Sequence, residues 1–151
     1  MLSVKQNNQR LDFTIASDAD QVQQLLAFAH RHFTQWSASD QAKLHIIARE
    51  LLTNAVRHGN GSDKGRSVRC TIEKREEGLV TICVEDEGDG FDYRSLDYSL
   101  PQDARDQASR RGYALIRSLS EGLLFNEKGN QVVAFFREAP LAGENLSQMM
   151  S

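Results

Sequence analysis

The amino-acid sequence predicts an α+β fold, a two-layer sandwich with a mostly antiparallel sheet and three main helices. Three observations carry that expectation. Apolar and polar residues alternate in several short stretches, the period of a half-buried strand. Apolar residues recur at helical spacing in three longer stretches. The strands follow one another through tight turns with the helices gathered between them, in the order one strand, two helices, two strands, one helix, two strands.

Leu11 to Ala16 is the first alternating stretch. Asp18 then offers a helix N-cap, with Gln21 three residues on, as in a capping box. Val22, Leu25, Leu26, Ala29 and Phe33 carry the first helix to about Trp36. Ser39 is the candidate cap of the second helix, with Asp40 in the first turn, where negative charge is favoured. That helix runs from about Asp40 to His58 and stops at Gly59-Asn60-Gly61. Arg66–Lys74 and Leu79–Glu85 read as a hairpin turning through Glu76, Glu77 and Gly78. An odd-length loop matches Val68/Cys70/Ile72 with Val80/Ile82/Val84 on the inward face and sends Cys70 and Cys83 to opposite faces, which argues against a disulfide. The stretch from Tyr93 to Arg111 is polar and unpatterned, as a functional lid or a disordered segment is. Gly112 opens a third helical pattern with Leu115, Ile116 and Leu119. Two last strands, Leu123–Asn126 and Val132–Arg137, flank the turn Glu127-Lys128-Gly129-Asn130. Residues 11–137 therefore read as the domain, 1–10 as an N-terminal extension and 138–151 as a polar, frayed tail.

The whole chain bounds its class. Its 151 residues suit one compact domain with a core that needs no disulfide or metal. A composition of 40% hydrophobic and 26% charged residues is that of a soluble globular protein. No apolar run approaches the ~20 residues that cross a bilayer. MLSVKQNNQR has no apolar stretch like that of a signal peptide, so a cytoplasmic protein is expected. A net charge of −3 argues against direct nucleic-acid binding. The two cysteines read as small core residues in a reducing compartment.

Three constellations carry chemistry. On the second helix, Glu50 and Asn54 lie four apart, stacked on one side and at the border of the apolar stripe. The amide oxygen is a hard ligand suited to Mg²⁺, and the carboxylate can position an attacking group or take its proton. Alone, a solvated helix face with Glu50 pairing loosely with Arg49 or Arg57 explains the pattern better. After the next hairpin comes Asp86, with Gly88 and Gly90 behind it. A carboxylate there can accept from an exocyclic amine such as adenine N6, and the glycines let the backbone approach a planar ring. An acidic surface turn is the plainer alternative. A calcium loop is disfavoured because Gly88 breaks the ligand spacing. Finally, Arg110, Arg111 and Gly112 at a helix start offer N–H groups and charge to phosphate. By themselves they read better as an ordinary loop-to-helix junction with solvated arginines.

Taken together, E-x-x-x-N-A-x-x-H-G at Glu50–Gly59, D-x-G-x-G at Asp86–Gly90 and the glycine-led helix at Gly112 resemble the N, G1 and G2 boxes of the GHKL ATPase superfamily. The likeness spans Leu11 to Arg137. The small size, Phe91-Asp92 after the second motif and LIRSL at Leu115–Leu119 look most like anti-sigma factor serine kinases. The resemblance implies a Bergerat-type sandwich holding Mg·ATP between its helices and a lid. It implies Glu50 as the catalytic carboxylate, Asn54 as the Mg²⁺ ligand and Asp86 as the reader of adenine. Gly88 and Gly90 would shape the base pocket, Arg111 and Gly112 would lie at the phosphates, and His58 would give a supporting contact. It further implies an ATP-dependent serine/threonine kinase acting on an anti-sigma factor antagonist, with a sigma factor as the alternative ligand, no membrane partner, and a homodimer. One departure stands out: Arg110 and Ala114 occupy positions where that family usually has glycine, which leaves the backbone less freedom to approach phosphate. A binding module without catalysis is the alternative that follows. A third reading is the ATP-binding domain of a larger signalling regulator. The residues before Leu11 are too few for the helical hairpin of a histidine kinase, and His30 and His32 read as surface residues of the first helix.

Overall fold

The structure, a computed structural model, describes residues 2–7, 9–90 and 104–139, and within 104–111 the backbone only. Ahead of the expected first strand lies another, β1 (Ser3–Asn7), which pairs antiparallel with β2 (Arg10–Ala16). Its short polar run SVKQN gives no clear apolar alternation, so its pairing is set by the neighbour and not by its own pattern. The chain continues through α1 (Ala19–His32), α2 (Ala38–Asn54), β3 (Ser67–Lys74), β4 (Leu79–Glu85), α3 (Ala104–Leu119), β5 (Gly122–Phe125) and β6 (Gln131–Arg137). The strands form one antiparallel sheet in the order β1-β2-β3-β4-β6-β5. The expected α+β sandwich with three helices is therefore what the chain adopts.

The hairpin register is as expected: Cys70 faces Val84 and Ile72 faces Ile82, with residues 75–79 between the last pair, Lys74 and Val80. One face of the sheet is thus apolar, with Leu11, Phe13, Ile15, Val68, Ile72, Val80, Ile82, Ala134 and Phe136 all buried. Val22, Leu25, Leu26 and Ala29 of α1, with Leu44, Ile47, Ala48 and Leu51 of α2, close over it. Burying such side chains is worth roughly 1.5–3 kcal/mol each and holds the two layers together. Cys70 is buried, and Cys83 stands opposite Thr71 on the other face; both thiols are free.

Helix ends differ from expectation in instructive ways. Ser37, not Ser39, caps α2, because its hydroxyl accepts from Asp40 N at 3.1 Å. Asp18 does cap α1, but through Asp20 N, and Gln21 reaches back to Ala16 N at 2.8 Å instead of closing a capping box. α1 ends at His32, four residues before Trp36, which stacks on Phe33 with ring centroids 4.2 Å apart. Gly112 does not open a helix. The third helix begins at Ala104, so Gly112 lies inside it and residues 104–111 of the expected lid are helical. The remainder of that lid, 93–103, and the tail from 140 onward lie outside the described residues.

The carboxylate of Asp40, 3% exposed, accepts from Ala139 N just beyond β6 with both oxygens at 3.1 Å. It ties the end of the sheet to the start of α2. Asp40→Ala leaves that N–H without its partner and is expected to destabilise the fold by about 1–3 kcal/mol. Urea denaturation should show it as a lower midpoint with an unchanged slope, and an unshifted midpoint would contradict the anchor.

Candidate nucleotide site

After Asn54 the helix does not stop but widens. Residues 55–59 form one i→i+5 turn, with Asn60 N bonded to Ala55 O at 2.8 Å. Such wide turns are often found at functional sites. This one swings Gly59 and Asn60 against the end of β4. Asn60 is 3% exposed and fully used: its amide nitrogen donates to Ser17 Oγ at 2.8 Å and Ser67 O at 2.9 Å, and its oxygen accepts from Glu87 N at 2.8 Å. The loop after β4 is thereby fixed to the loop after α2.

Asp86 sits just beyond β4. Its Oδ1 accepts from Gly88 N at 2.8 Å, closing an Asx turn. Its backbone is held on the other side by Asn130, which accepts from Asp86 N through its carbonyl at 3.0 Å and donates to Asp86 O through Nδ2 at 2.9 Å. Burial pushes the Asp86 carboxyl above the ordinary aspartate value, the Gly88 N–H acting against this and the charge of Glu85 adding to it. The backbone crowds this side chain: a Cβ on Gly59 would collide with the Asp86 carboxylate, and one on Gly88 would collide with Gly59 O. Gly90 has φ +87° and passes against Lys128 O, a position that needs glycine both for its conformation and for the approach.

These elements enclose a cavity of about 180 Å³. Leu51, Ala55, Val84, Tyr113, Phe125 and Val132 give it apolar walls, and Asn54, His58, Asp86, Asn130 and Gln131 supply polar groups, with Gly59, Gly90 and Gly129 at its edge. Tyr113 and Phe125 pack against each other with ring centroids 5.8 Å apart. Pockets for whole drug-sized ligands run to ~300–1,000 Å³, so this slot suits one planar ring system with the rest of a ligand outside it.

Of the residues singled out in the sequence, Asn54, His58, Asp86 and Gly90 line the cavity together, whereas Gly88 lies outside the lining and holds Asp86 through the Asx turn. Asn54 is 9% exposed, and its amide nitrogen has no hydrogen-bond partner among the described residues. A half turn about χ2 exchanges its nitrogen and oxygen, so the same amide can offer a donor to an anion or an acceptor to a cation. Glu50 stands one turn earlier, outside the cavity lining. Its Oε1 is 3.4 Å from the Arg49 guanidinium, the loose surface pairing that the sequence also allowed. The other side of Glu50 meets α3: a Cβ on Gly112 would lie 2.8 Å from Glu50 Oε2 and 3.6 Å from Asn54 Nδ2. Gly112 thus serves a close helix–helix approach over the two residues. The backbone of Arg111 lies in α3 beside it, and its side chain is outside the described residues. Gly59, Asn60, Asn130 and the Tyr113–Phe125 pair are parts of the site that the sequence reading did not assign. In the sequence Gly59 and Asn60 read as a helix stop and Asn130 as a turn residue; in the fold Gly59 lies against the Asp86 carboxylate, Asn60 accepts from Glu87 N, and Asn130 holds the Asp86 backbone.

A Histidine kinase-like ATPase domain profile matches residues 15–136. The chain belongs to the histidine kinase-like ATPase family. No curated protein matches it. As a histidine kinase-like ATPase domain it is an ATP-binding fold of the GHKL type, with ATP-dependent phosphotransfer or hydrolysis as its general chemistry. The residues present fit that nucleotide: an apolar slot of a size for a base, a fixed carboxylate able to accept from an amine, and a buried amide without a partner among the described residues. They also fit Mg²⁺ carried by phosphate. Among the described residues no cluster of three His, Cys, Asp or Glu is placed to hold a metal, and Mg²⁺ is commonly held by few protein ligands plus substrate phosphates. No helix among the described residues is long and apolar enough to cross a membrane. Gly59→Ala should abolish adenine-nucleotide binding by driving the Asp86 carboxylate out of place while leaving the far-ultraviolet circular dichroism of this ATPase domain unchanged. Wild-type affinity in that variant would show that the Gly59–Asp86 contact is not part of the site.

Proposed function

We propose that this ATPase domain is an ATP-dependent serine/threonine protein kinase of the anti-sigma factor type. It phosphorylates a small antagonist protein and holds a sigma factor in alternation, as a cytoplasmic homodimer. The observation that best supports the reading is Glu50 standing one helical turn before the Asn54 amide, which lines a cavity together with Asp86. Asp86 would accept from the adenine amine, and Asn54 would hold Mg²⁺ against the phosphates. Bound Mg·ATP supplies the transferable phosphoryl group and the charge neutralisation that such transfers need. Glu50, free of the metal, would orient the attacking serine hydroxyl and accept its proton. A phosphate added to the antagonist at a close interface would break that complex by charge and release the kinase surface to the sigma factor.

A second reading, a nucleotide- and partner-binding module without turnover, draws on α3. That helix runs unbroken from Ala104 through Gly112, so the Gly112 N–H is not at a helix start facing phosphate, and Gly112 packs on Glu50 instead. Incubation with labelled ATP and a candidate antagonist protein separates the two. Label on a serine or threonine of the antagonist is the expected result, and its absence despite nucleotide binding favours the module.

A further inference from the structure

The polar network behind Asp86 extends further than the cavity itself. Asn126, at the end of β5, gathers the turn into β6: its Oδ1 accepts from Gly129 N at 2.7 Å, Asn130 N at 3.1 Å and Gln131 N at 3.2 Å. Its amide nitrogen donates to Asn130 Oδ1 at 2.7 Å. That bond fixes which end of the Asn130 amide faces Asp86, leaving Nδ2 to donate to Asp86 O at 2.9 Å. On the other side of the loop, Asn60 holds Glu87 N. Residues 86 and 87 are therefore gripped by two asparagines from two separate turns. A carboxylate that must read one amine in a narrow slot needs this, because a shift of well under an ångström removes the bond it makes.

We infer that Asn130 is a positioning residue that sets the purine selectivity of the site through Asp86, with Asn126 fixing its orientation. The inference rests on the nucleotide-site reading above and adds what makes that site choose its base. Asn130 lines the cavity, but its side-chain bonds go to Asp86 and Asn126, so it acts by holding the reader and not by reading. A 6-amino purine offers the Asp86 carboxylate a donor, whereas a 6-oxo purine offers it an oxygen. The discrimination between them depends on where residue 86 stands. Phosphate-side affinity, which is supplied from the Asn54 end, does not.

The test is a comparison of Mg·ATP and Mg·ITP binding by calorimetry in four proteins: wild type, Asn130→Ala, Asp86→Ala and the double variant. Wild type is expected to prefer ATP. Asn130→Ala should lower the ATP:ITP affinity ratio about 2–10-fold, the net worth of one hydrogen bond, with ITP affinity little changed. In the Asp86→Ala background the same substitution should leave the ratio where it is, since no carboxylate remains to be held. A merely structural role would weaken both nucleotides alike. Asn130→Asp keeps the size and the Oδ1 acceptor but lacks the donor. It must show the same loss of selectivity, and it stands in if the alanine variant does not fold. An unchanged ratio in Asn130→Ala or Asn130→Asp overturns the inference, as does an equal drop with and without Asp86, which would mean direct base contact. Failure of wild type to bind either nucleotide overturns the nucleotide reading itself and this inference with it.

Discussion

Glu50→Gln is expected to reduce phosphotransfer to the antagonist by about 10²–10⁴-fold, the usual worth of a positioned general base. A serine hydroxyl is a poor nucleophile at neutral pH, and Glu50 is a carboxylate one turn before Asn54 on α2. Glutamine keeps the size of the side chain and the Oε1 acceptor that faces Arg49 at 3.4 Å. The contact with the Gly112 backbone is preserved in shape, so neither stability nor α3 packing should change. Nucleotide affinity, which the proposed function assigns to Asp86 and Asn54, should stay within a few-fold of wild type. Single-turnover measurement with labelled ATP checks the rate, and calorimetry checks the binding. A Glu50→Gln protein that phosphorylates at the wild-type rate would contradict the assignment of the base while leaving the nucleotide site intact.

Asp86→Asn should do two opposite things, lose adenine and gain stability. Gly88 N holds Oδ1, so the substitution places an NH₂ group where Oδ2 stands. A donor then faces the donor of the adenine amine. Since hydrogen bonds to charged groups are worth about 1.5–3 kcal/mol, ATP affinity should fall about 10–100-fold. The preference should turn toward ITP, whose 6-oxo group accepts. The stability effect follows from burial, which raises the carboxyl above its ordinary value. The folded protein then binds that proton more tightly than the unfolded chain. The contribution of Asp86 to stability is therefore lost as pH rises from the ordinary aspartate value through the raised one. At neutral pH the charge is a net burden on the unliganded fold, and the asparagine variant should melt at a higher temperature. The gain should disappear on acidification below that window. A melting temperature for Asp86→Asn below wild type at pH 7 would show that the charge is compensated in a way the burial of Asp86 does not suggest. The same titration limits function: adenine preference should decline on acidification at a higher pH than an ordinary aspartate would allow.

Much of the sandwich is written locally. The alternation in Val68–Ile72 and Val80–Val84 specifies both the hairpin and its register, because a one-residue slip would expose the whole set. β1 was not legible, since within Ser3–Asn7 only Val4 packs, in part, against the core, and the strand pairs along the edge that β2 offers. The start of α3 was misplaced for a related reason. Residues 104–111 lack an apolar stripe, so the pattern begins only where Tyr113 and Ile116 reach the core. Around the cavity, Asn54 and Asp86, which line it, and Glu50, one turn before Asn54 on α2, were legible as candidates from their spacing. The residues that hold them were not. Asn60 and Asn130 each occur in a Gly-Asn pair that signals a turn, and nothing in a turn signal says that its amide reaches across to residue 86 or 87. Gly59 looks like a helix stop until the Asp86 carboxylate is seen lying against it.

Titration of wild-type protein with Mg·ATP by calorimetry bears most directly on the claim that this cavity is an adenine-nucleotide site. The expected result is saturable one-site binding that weakens in Asp86→Asn and loses its magnesium-dependent part in Asn54→Ala. No detectable binding of adenine nucleotide at millimolar concentration would contradict it.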